Sequence, residues 1–493
     1  MVSARLARDG RWLLLLCGVM VGAGAAERDS LLVAVKDGRA AEVRSLLAVA
    51  TDPNETDADG TSVLHWAVHR GELEWAAALL AAGAHVDAVN RYGVRPLYLA
   101  AENGDAAMVQ ALLGAGADAN AIFAEGETVL ITAARTGDAA IIEALVAAGA
   151  QVNATERRGG QTALMLAAAE NNGPAIKALL GAGAERDARE VTGEFTALTF
   201  AVRAGAVEAA KALLAAGADA SAILLDGTSM LGLAAINANY EVAGALLDAG
   251  ADPNSAVGGW SVLHQIALVR RWNRGFNLPG PEHRDRLSSL ELARQLVAHG
   301  ADVDRRQEGE PRDDNGNALG RSGATAFLLA TKAVDLPYMR TLLELGADPA
   351  LTTDDGTTAV LLAAGVGQGF GSAGASPGSI EEAIAALTLT LEVGGGTVSD
   401  INSNNETSLH GAMYRGGSIV LLDFLVERGA KLEGVVNSRG WTALRIADGV
   451  ALDGVAFIRY PETAARLREH LRAQGLPVPP VEWDGPESRE PWP

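Results

Sequence analysis

Three groups of residues in this chain have types and spacings that could do chemistry. His65 and His69 lie four apart, a helical spacing that can present two imidazoles to one metal ion. Between them stand Trp66, Ala67 and Val68, so the glutamate of a zinc-hydrolase helix is missing, and no third ligand is suggested nearby. Gly369-Phe370-Gly371-Ser372-Ala373-Gly374 fits GxGxxG. That motif cradles a dinucleotide when it joins a strand to a helix, whereas here it falls in an insertion between two helical segments. His283 and Asp285 alternate with Arg284 and Arg286. No Ser or Cys nucleophile is marked beside them. If the arginines are a site rather than a solvated loop, their guanidinium forks suit a carboxylate-bearing partner. The single cysteine, Cys17, lies in the N-terminal leader, which leaves no thiol for a disulfide, a nucleophile or a zinc site after processing. The expectation is therefore no catalytic residue, no metal and no cofactor.

The elements that would have to position any site repeat along the chain. Residues 93–125, GVRPLYLAAENGDAAMVQALLGAGADANAIFAE, show one unit. A turn at Gly93 precedes Pro96, whose fixed φ and missing N–H suit the first turn of a helix. Leu97, Leu99, Ala100 and Ala101 give that helix an apolar side, and Asn103-Gly104 ends it. Met108, Val109, Leu112 and Leu113 follow at the spacing of a second amphipathic helix. Gly116 stands where a left-handed cap is wanted, and a polar hairpin-like loop leads to the next glycine. Turn glycines recur at 60, 93, 126, 160, 227, 259, 323, 356 and 440, with Glu194 in the same place of its own repeat. Gly-Ala pairs recur at 83, 116, 149, 183, 217, 250, 300, 346 and 429. Two places after most turn glycines stands a Ser or Thr suited to cap the helix that follows, and Arg95 is the departure.

A step of about 33 residues with this grammar resembles the ankyrin repeat over roughly residues 30–475. The resemblance implies an all-α solenoid of stacked helix-turn-helix repeats with β-hairpin-like connecting loops. It implies a structural hydrogen-bonding role for His65, His264 and His410, which occupy the fourth position of the Thr-Pro-Leu-His pattern. Residues 404–471 look like the closing repeats of exported bacterial ankyrin proteins.

The remaining signals set the boundaries. Residues 1–26 read as a signal peptide: Arg5, Arg8 and Arg11, an apolar run Trp12–Val21, then Ala23-Gly24-Ala25. The run is too short for a comfortable membrane span, so none is expected after processing. A periplasmic or secreted location is expected, with lipoprotein anchoring through Cys17 the weaker alternative. Residues 27–475 are expected to form about twelve repeats, with insertions near 270–286, 305–321 and 365–378. Residues 476–493, with several prolines, Trp483 and Trp492, read as a disordered or polyproline-like tail, with docking of Trp483 or Trp492 into a groove as the alternative. A net charge of −21 disfavours nucleic acid and anionic membrane as partners.

The positive signal for binding lies on the hairpin tips. Most tips are polar, as with Asp57-Ala58-Asp59, but the fourth and seventh read AIFAEG and AILLDG. These place Ile122, Phe123, Ile223, Leu224 and Leu225 on tips, with Phe123 and Leu224 where the pattern has Asp. Tyr92, Phe195 and Trp260 fall at neighbouring variable positions, which the ankyrin resemblance assigns to a concave binding face. Aromatic residues are 4% of the chain, so their gathering here is informative. The favoured reading is a monomeric, exported, non-enzymatic scaffold that binds another protein on its concave face. The alternative is a periplasmic enzyme or small-ligand receptor whose site is built by the insertions of repeats eight to ten.

Overall fold

The computed structural model describes residues 30–49, 51–123, 126–271, 286–308, 322–367, 378–432, 434–452 and 456–483. The signal-like segment 1–26, residues 283–285 of the His283–Arg286 group, the GxGxxG stretch and most of the three insertions lie outside the described residues. The chain divides into two compact units, 1–151 and 152–493.

In the first unit four helix pairs follow in order: α1 (Leu31–Asp37) and α2 (Ala40–Ala48), α3 (Val63–His69) and α4 (Leu73–Ala81), α5 (Pro96–Glu102) and α6 (Ala106–Gly114), α7 (Val129–Thr136) and α8 (Ala139–Ala147). The first members stack on one another, α1 to α3 to α5 to α7, and the second members form a parallel layer outside them.

The second unit begins with α9 (Ala163–Ala169) and α10 (Gly173–Gly181), α11 (Ala197–Ala204) and α12 (Val207–Ala215), α13 (Met230–Ile236) and α14 (Tyr240–Asp248). After the short antiparallel pair β1 (Ala256–Val257) and β2 (Trp260–Ser261) come α15 (Val262–Arg270) and α16 (Ser289–Ala298), α17 (Ala326–Lys332) and α18 (Leu336–Glu344), α19 (Ala359–Ala364) and α20 (Ile380–Glu392). It closes with α21 (Ser408–Tyr414) and α22 (Ile419–Glu427), α23 (Ala443–Asp448), the antiparallel β3 (Val450–Leu452) and β4 (Ala456–Ile458), and α24 (Pro461–Ala473). Its inner helices α9 to α23 again stack in sequence, with the outer helices layered beside them.

Local chemistry explains the regularity. Ser62, Thr128, Thr162, Thr196, Ser229, Thr325, Thr358, Thr407 and Thr442 each accept an amide of the first helical turn. Arg95 makes no such bond, and Pro96 at the first helical position needs none. Leu64, Leu79, Leu97, Leu112, Leu130 and Leu145 are fully buried between the two helical layers of the first unit. The turn glycines all have positive φ, and Glu194 and Asn405 hold the same conformation at φ 54° and 57° without being glycine.

A second device was not foreseen from the sequence. The Asn120 amide donates to Gly149 O at 2.9 Å while its carbonyl accepts from Gln151 N at 2.8 Å, tying one repeat to the next. Asn54 does the same with Gly83 and His85, Asn153 with Gly183 and Glu185, and Asn254 with Gly300 and Asp302. Three of these asparagines stand four places after a Gly-Ala pair, which is a signal the sequence did contain.

Where the insertions enter, charge is buried. Arg270 at the end of α15 makes two bonds to Asp335, at 2.7 and 2.8 Å, and one to Ser289. Arg271 reaches Glu382 at 2.7 Å, and the buried Arg415 donates to Lys332 O. Burial lowers the Arg415 pKa to about 10. Cations at the ends of α15 and α17 complement the helix dipoles there.

The proline-rich tail was expected to be disordered from residue 476. Its first eight residues, 476–483, are instead seated on the last helix pair through several hydrogen bonds. Residues 484–493 lie outside the described residues.

Candidate partner-binding surface

The hairpins owe their shape to one recurring frame. In the seventh, Leu224 N donates to Thr228 O at 2.8 Å and Gly227 N to Leu224 O at 2.9 Å. In most hairpins the residue at the Leu224 position is polar and organises the loop. Asp57 accepts from Asp59 N and Thr61 N, Asn90 from Tyr92 N and Val94 N, and Asn402 from Asn404 N and Glu406 N. Phe123 and Leu224 cannot do this, and both turn inward instead. Phe123 is half-buried and stacks on Tyr98 with ring centroids 4.2 Å apart. Leu224 is half-buried as well.

Their neighbours face outward. Tyr92 is 47% and Ile122 53% exposed in the first unit, and Ile223 is 66% and Leu225 74% exposed in the second. Trp260 requires a correction. It was expected on a tip, yet it is only 7% exposed, because β2 turns its indole inward beside His264, ring centroids 6.3 Å apart. Phe195 is half-buried, edge-on to Phe200 and under the Arg203 guanidinium. Val191, 81% exposed on the same hairpin as Phe195, was missed. It sits at a variable tip position, one residue after the loop-organising Glu190.

Backbone bonds run from hairpin to hairpin. Arg91 N donates to Asp59 O in the first unit. In the second, Val191 N reaches Gly159 O, Glu308 N reaches Gly259 O, Asp354 N reaches Ser322 O, Ser403 N reaches Asp355 O and Ser438 N reaches Asn404 O. Among the described residues no such bond reaches 223–228, so the seventh hairpin stands outside this chain of bonds. A related change occurs on the inner helices of the second unit. Their fourth residues Leu166, Phe200 and Leu233 are half-exposed, whereas Gln265, Leu329 and Leu362 are buried.

The histidines are structural. His65 Nδ1 accepts from Ser62 N at 3.2 Å, so its Nε2–H donates to Val94 O of the next hairpin at 3.0 Å. His264 bonds Ser261 and Ala324 O, and His410 bonds Thr407 and Trp441 O, in the same way. Burial lowers all three pKa values, that of His264 to about 4. Both His65 nitrogens are thus engaged. Among the described residues, no three His, Cys, Asp or Glu side chains gather as a metal site. No described helix is long and apolar enough to cross a membrane.

Paired helices, capped inner turns and projecting hairpins define a helical-repeat protein of the kind that presents a surface to another macromolecule. A family model described as ankyrin repeats in three copies matches residues 31–123, 98–190 and 168–257, and the chain belongs to the ankyrin-repeat family. Among solved structures it is similar to the human ASB11 ankyrin repeat domain, at 31% identity and a TM-score of 0.40, over 44% of this chain and 96% of that one. No curated protein matches the chain. Ankyrin repeats are generally protein-protein interaction modules.

Proposed function

We propose that this protein is an exported, non-enzymatic scaffold that binds another protein through the hairpins and inner-helix face of its regular repeats. The observation that carries this reading is the seventh hairpin, where Ile223 and Leu225 hold aliphatic side chains in water on a loop whose residues 223–228, among the described residues, make no backbone bond to a neighbouring hairpin. Apolar surface costs about 25 cal/mol per Å² when left in water, so covering it with a partner is favourable. Val191 continues the apolar surface on the preceding hairpin, and Leu166, Phe200 and Leu233 supply half-exposed apolar groups from the inner helices of the same repeats. Tyr92 and Ile122 offer a corresponding patch in the first unit. Export rests on the Arg-apolar-Ala-Gly-Ala order of residues 1–26.

The test uses affinity capture from the native cell envelope with the wild-type chain and with a Val191→Ser, Ile223→Ser, Leu225→Ser variant. A partner retained by the first and lost by the folded variant is the expected result. Equal capture by both would transfer the reading to the insertions of repeats eight to ten. N-terminal sequencing of the native protein tests export, and retention of residues 1–20 would refute it.

A further inference from the structure

In the interior of the array, the third residue of an inner helix can bind the hairpin that follows. His65 reaches Val94 O, His264 reaches Ala324 O and His410 reaches Trp441 O, and each acceptor lies one place after a turn glycine. The last inner helix, α23, has Arg445 at this position. Among the described residues no further repeat stacks on it. Arg445 Nη1 donates instead to Glu482 O in the tail, and its Nε lies 3.4 Å from the Glu482 carboxylate. The tail therefore supplies the backbone acceptor that another repeat would have supplied.

The rest of the seat is equally specific. Arg468 and Asp448 form a buried pair with two bonds of 2.7 Å. Arg468 then donates to the carbonyls of Pro479 (3.4 Å) and Pro480 (3.0 Å), while Asp448 accepts from Glu482 N. Proline has no N–H to give, but its carbonyl is a good acceptor, so an arginine is a fitting partner for a Pro-Pro strand. Gly449, at φ 136°, lies against Trp483, and a Cβ there would fall about 2 Å from the indole. The Arg459 guanidinium lies 4.9 Å from the centre of the same ring. Leu444, Leu467 and Leu471 line, together with Leu476, Pro477 and Pro479, a cleft of about 350 Å³.

We infer that the end of the array carries a binding site for an extended proline-rich strand of the form Pro-Pro-x-Glu-Trp, filled by the chain's own residues 476–483, and that its occupation closes the solenoid. A terminal repeat otherwise exposes the surface on which another repeat would stack, and arrays of this kind need a distinct end. The strand is held by backbone carbonyls, one carboxylate and one indole, so the site selects an extended, acidic, aromatic-ended peptide.

The test keeps the full-length chain. Trp483→Ala removes the indole anchor, and Arg445→Met removes the link to Glu482. Hydrogen exchange should show the amides of Leu476 and Glu482 exchanging at least tenfold faster in both variants, with faster exchange in α23 and α24. A synthetic peptide spanning residues 474–485 should bind Trp483→Ala at least tenfold more tightly than it binds wild type, whose site is already filled, and should restore protection to α23 and α24. Unchanged exchange in both variants would overturn the inference. So would a folded Trp483→Ala chain whose strap is released yet which does not take up the peptide.

Discussion

The hairpins at 224–228 and 437–441 share one backbone frame and their turn glycine, and they differ at the residue that opens the frame, Leu224 against Asn437. Leu224 N bonds Thr228 O at 2.8 Å, and Asn437 N bonds Trp441 O at 2.9 Å; each closes through its glycine amide. Asn437 then spends its side chain on the loop, accepting from Arg439 N and Trp441 N at 3.0 Å and donating to the Tyr414 hydroxyl at 3.1 Å. Leu224 has nothing to donate or accept. Asp226 takes over one amide, that of Thr228, and the loop shows Ile223 and Leu225 to solvent. The frame thus belongs to the glycine and the backbone, so the organising position is free to vary. Its identity decides whether the loop amides are held by a side chain at that position, as by Asn437, or left to other groups, as with Asp226 and Thr228.

The largest expected effect separates the hairpins by pH. Those at Val94, Ala324 and Trp441 are locked by a buried histidine, and the hairpin at 223–228 is not. A histidine whose folded pKa is lowered binds protons less readily than in the unfolded chain. Stability is therefore complete above the unfolded value near 6.5 and falls as pH drops toward about 4, the value for His264. The loss from His264 is on the order of 3 kcal/mol when the change is complete. Urea melts between pH 7.5 and 4 should show it, with exchange rising first around Ala324. His264→Leu should flatten the profile, and an unaltered profile would refute this assignment.

Asn437→Ala attacks the polar hairpin directly. It strands two loop amides and removes one partner of the Tyr414 hydroxyl, a cost of about 2 kcal/mol. Denaturant melts should report the loss, with exchange faster at 438–441 than at 224–228. Leu224→Ser is milder, about 1 kcal/mol, because a half-buried aliphatic group is removed without orphaning a polar one. Equal losses in the two variants would show that the organiser adds nothing beyond burial.

A gain is expected at the sixth hairpin. Glu194 occupies the turn-glycine place at φ 54°, a conformation that costs a residue with a Cβ about 1 kcal/mol or more. Its ion pair with Arg189 is exposed on both sides and worth little. Glu194→Gly should raise stability by about 0.5 kcal/mol after the greater entropy of unfolded glycine is allowed for. A lower melting temperature would contradict the strain.

Much of this was legible because the repeat is a local code. Turn glycines, hydroxyl caps and Leu pairs each report on their own turn, and Glu194 was readable by register alone. Contacts across repeats were less legible. The Asn120 bridge joins residues about thirty apart, and nothing in the spacing alone says that an amide will reach both groups of the next repeat. Trp260 was misplaced because register gives a position on the hairpin, whereas the short β1–β2 pairing decides which way the indole turns. For the tail, composition favoured disorder over the docking of Trp483, because prolines suggest an unfolded strand while the arginines that hold it come from α23 and α24.

Leu225→Ser carries the smallest expected effect on stability and the sharpest test of the comparison. Leu225 is 74% exposed, so replacing it removes little buried area, and the melting free energy should change by less than about 0.5 kcal/mol. Leu224, one residue earlier, serves as the internal control because its loss is felt by the fold. If the seventh hairpin is a binding element, the order reverses for partner capture. Leu225→Ser, with an intact fold, should lose affinity by tenfold or more, since an anchor buried at an interface contributes ~1–2 kcal/mol or more. Leu224→Ser should lose affinity only in proportion to the folded fraction. Melting curves beside a titration with the captured partner distinguish the two residues, and an affinity that follows stability in both variants would show that the hairpin is merely an apolar turn.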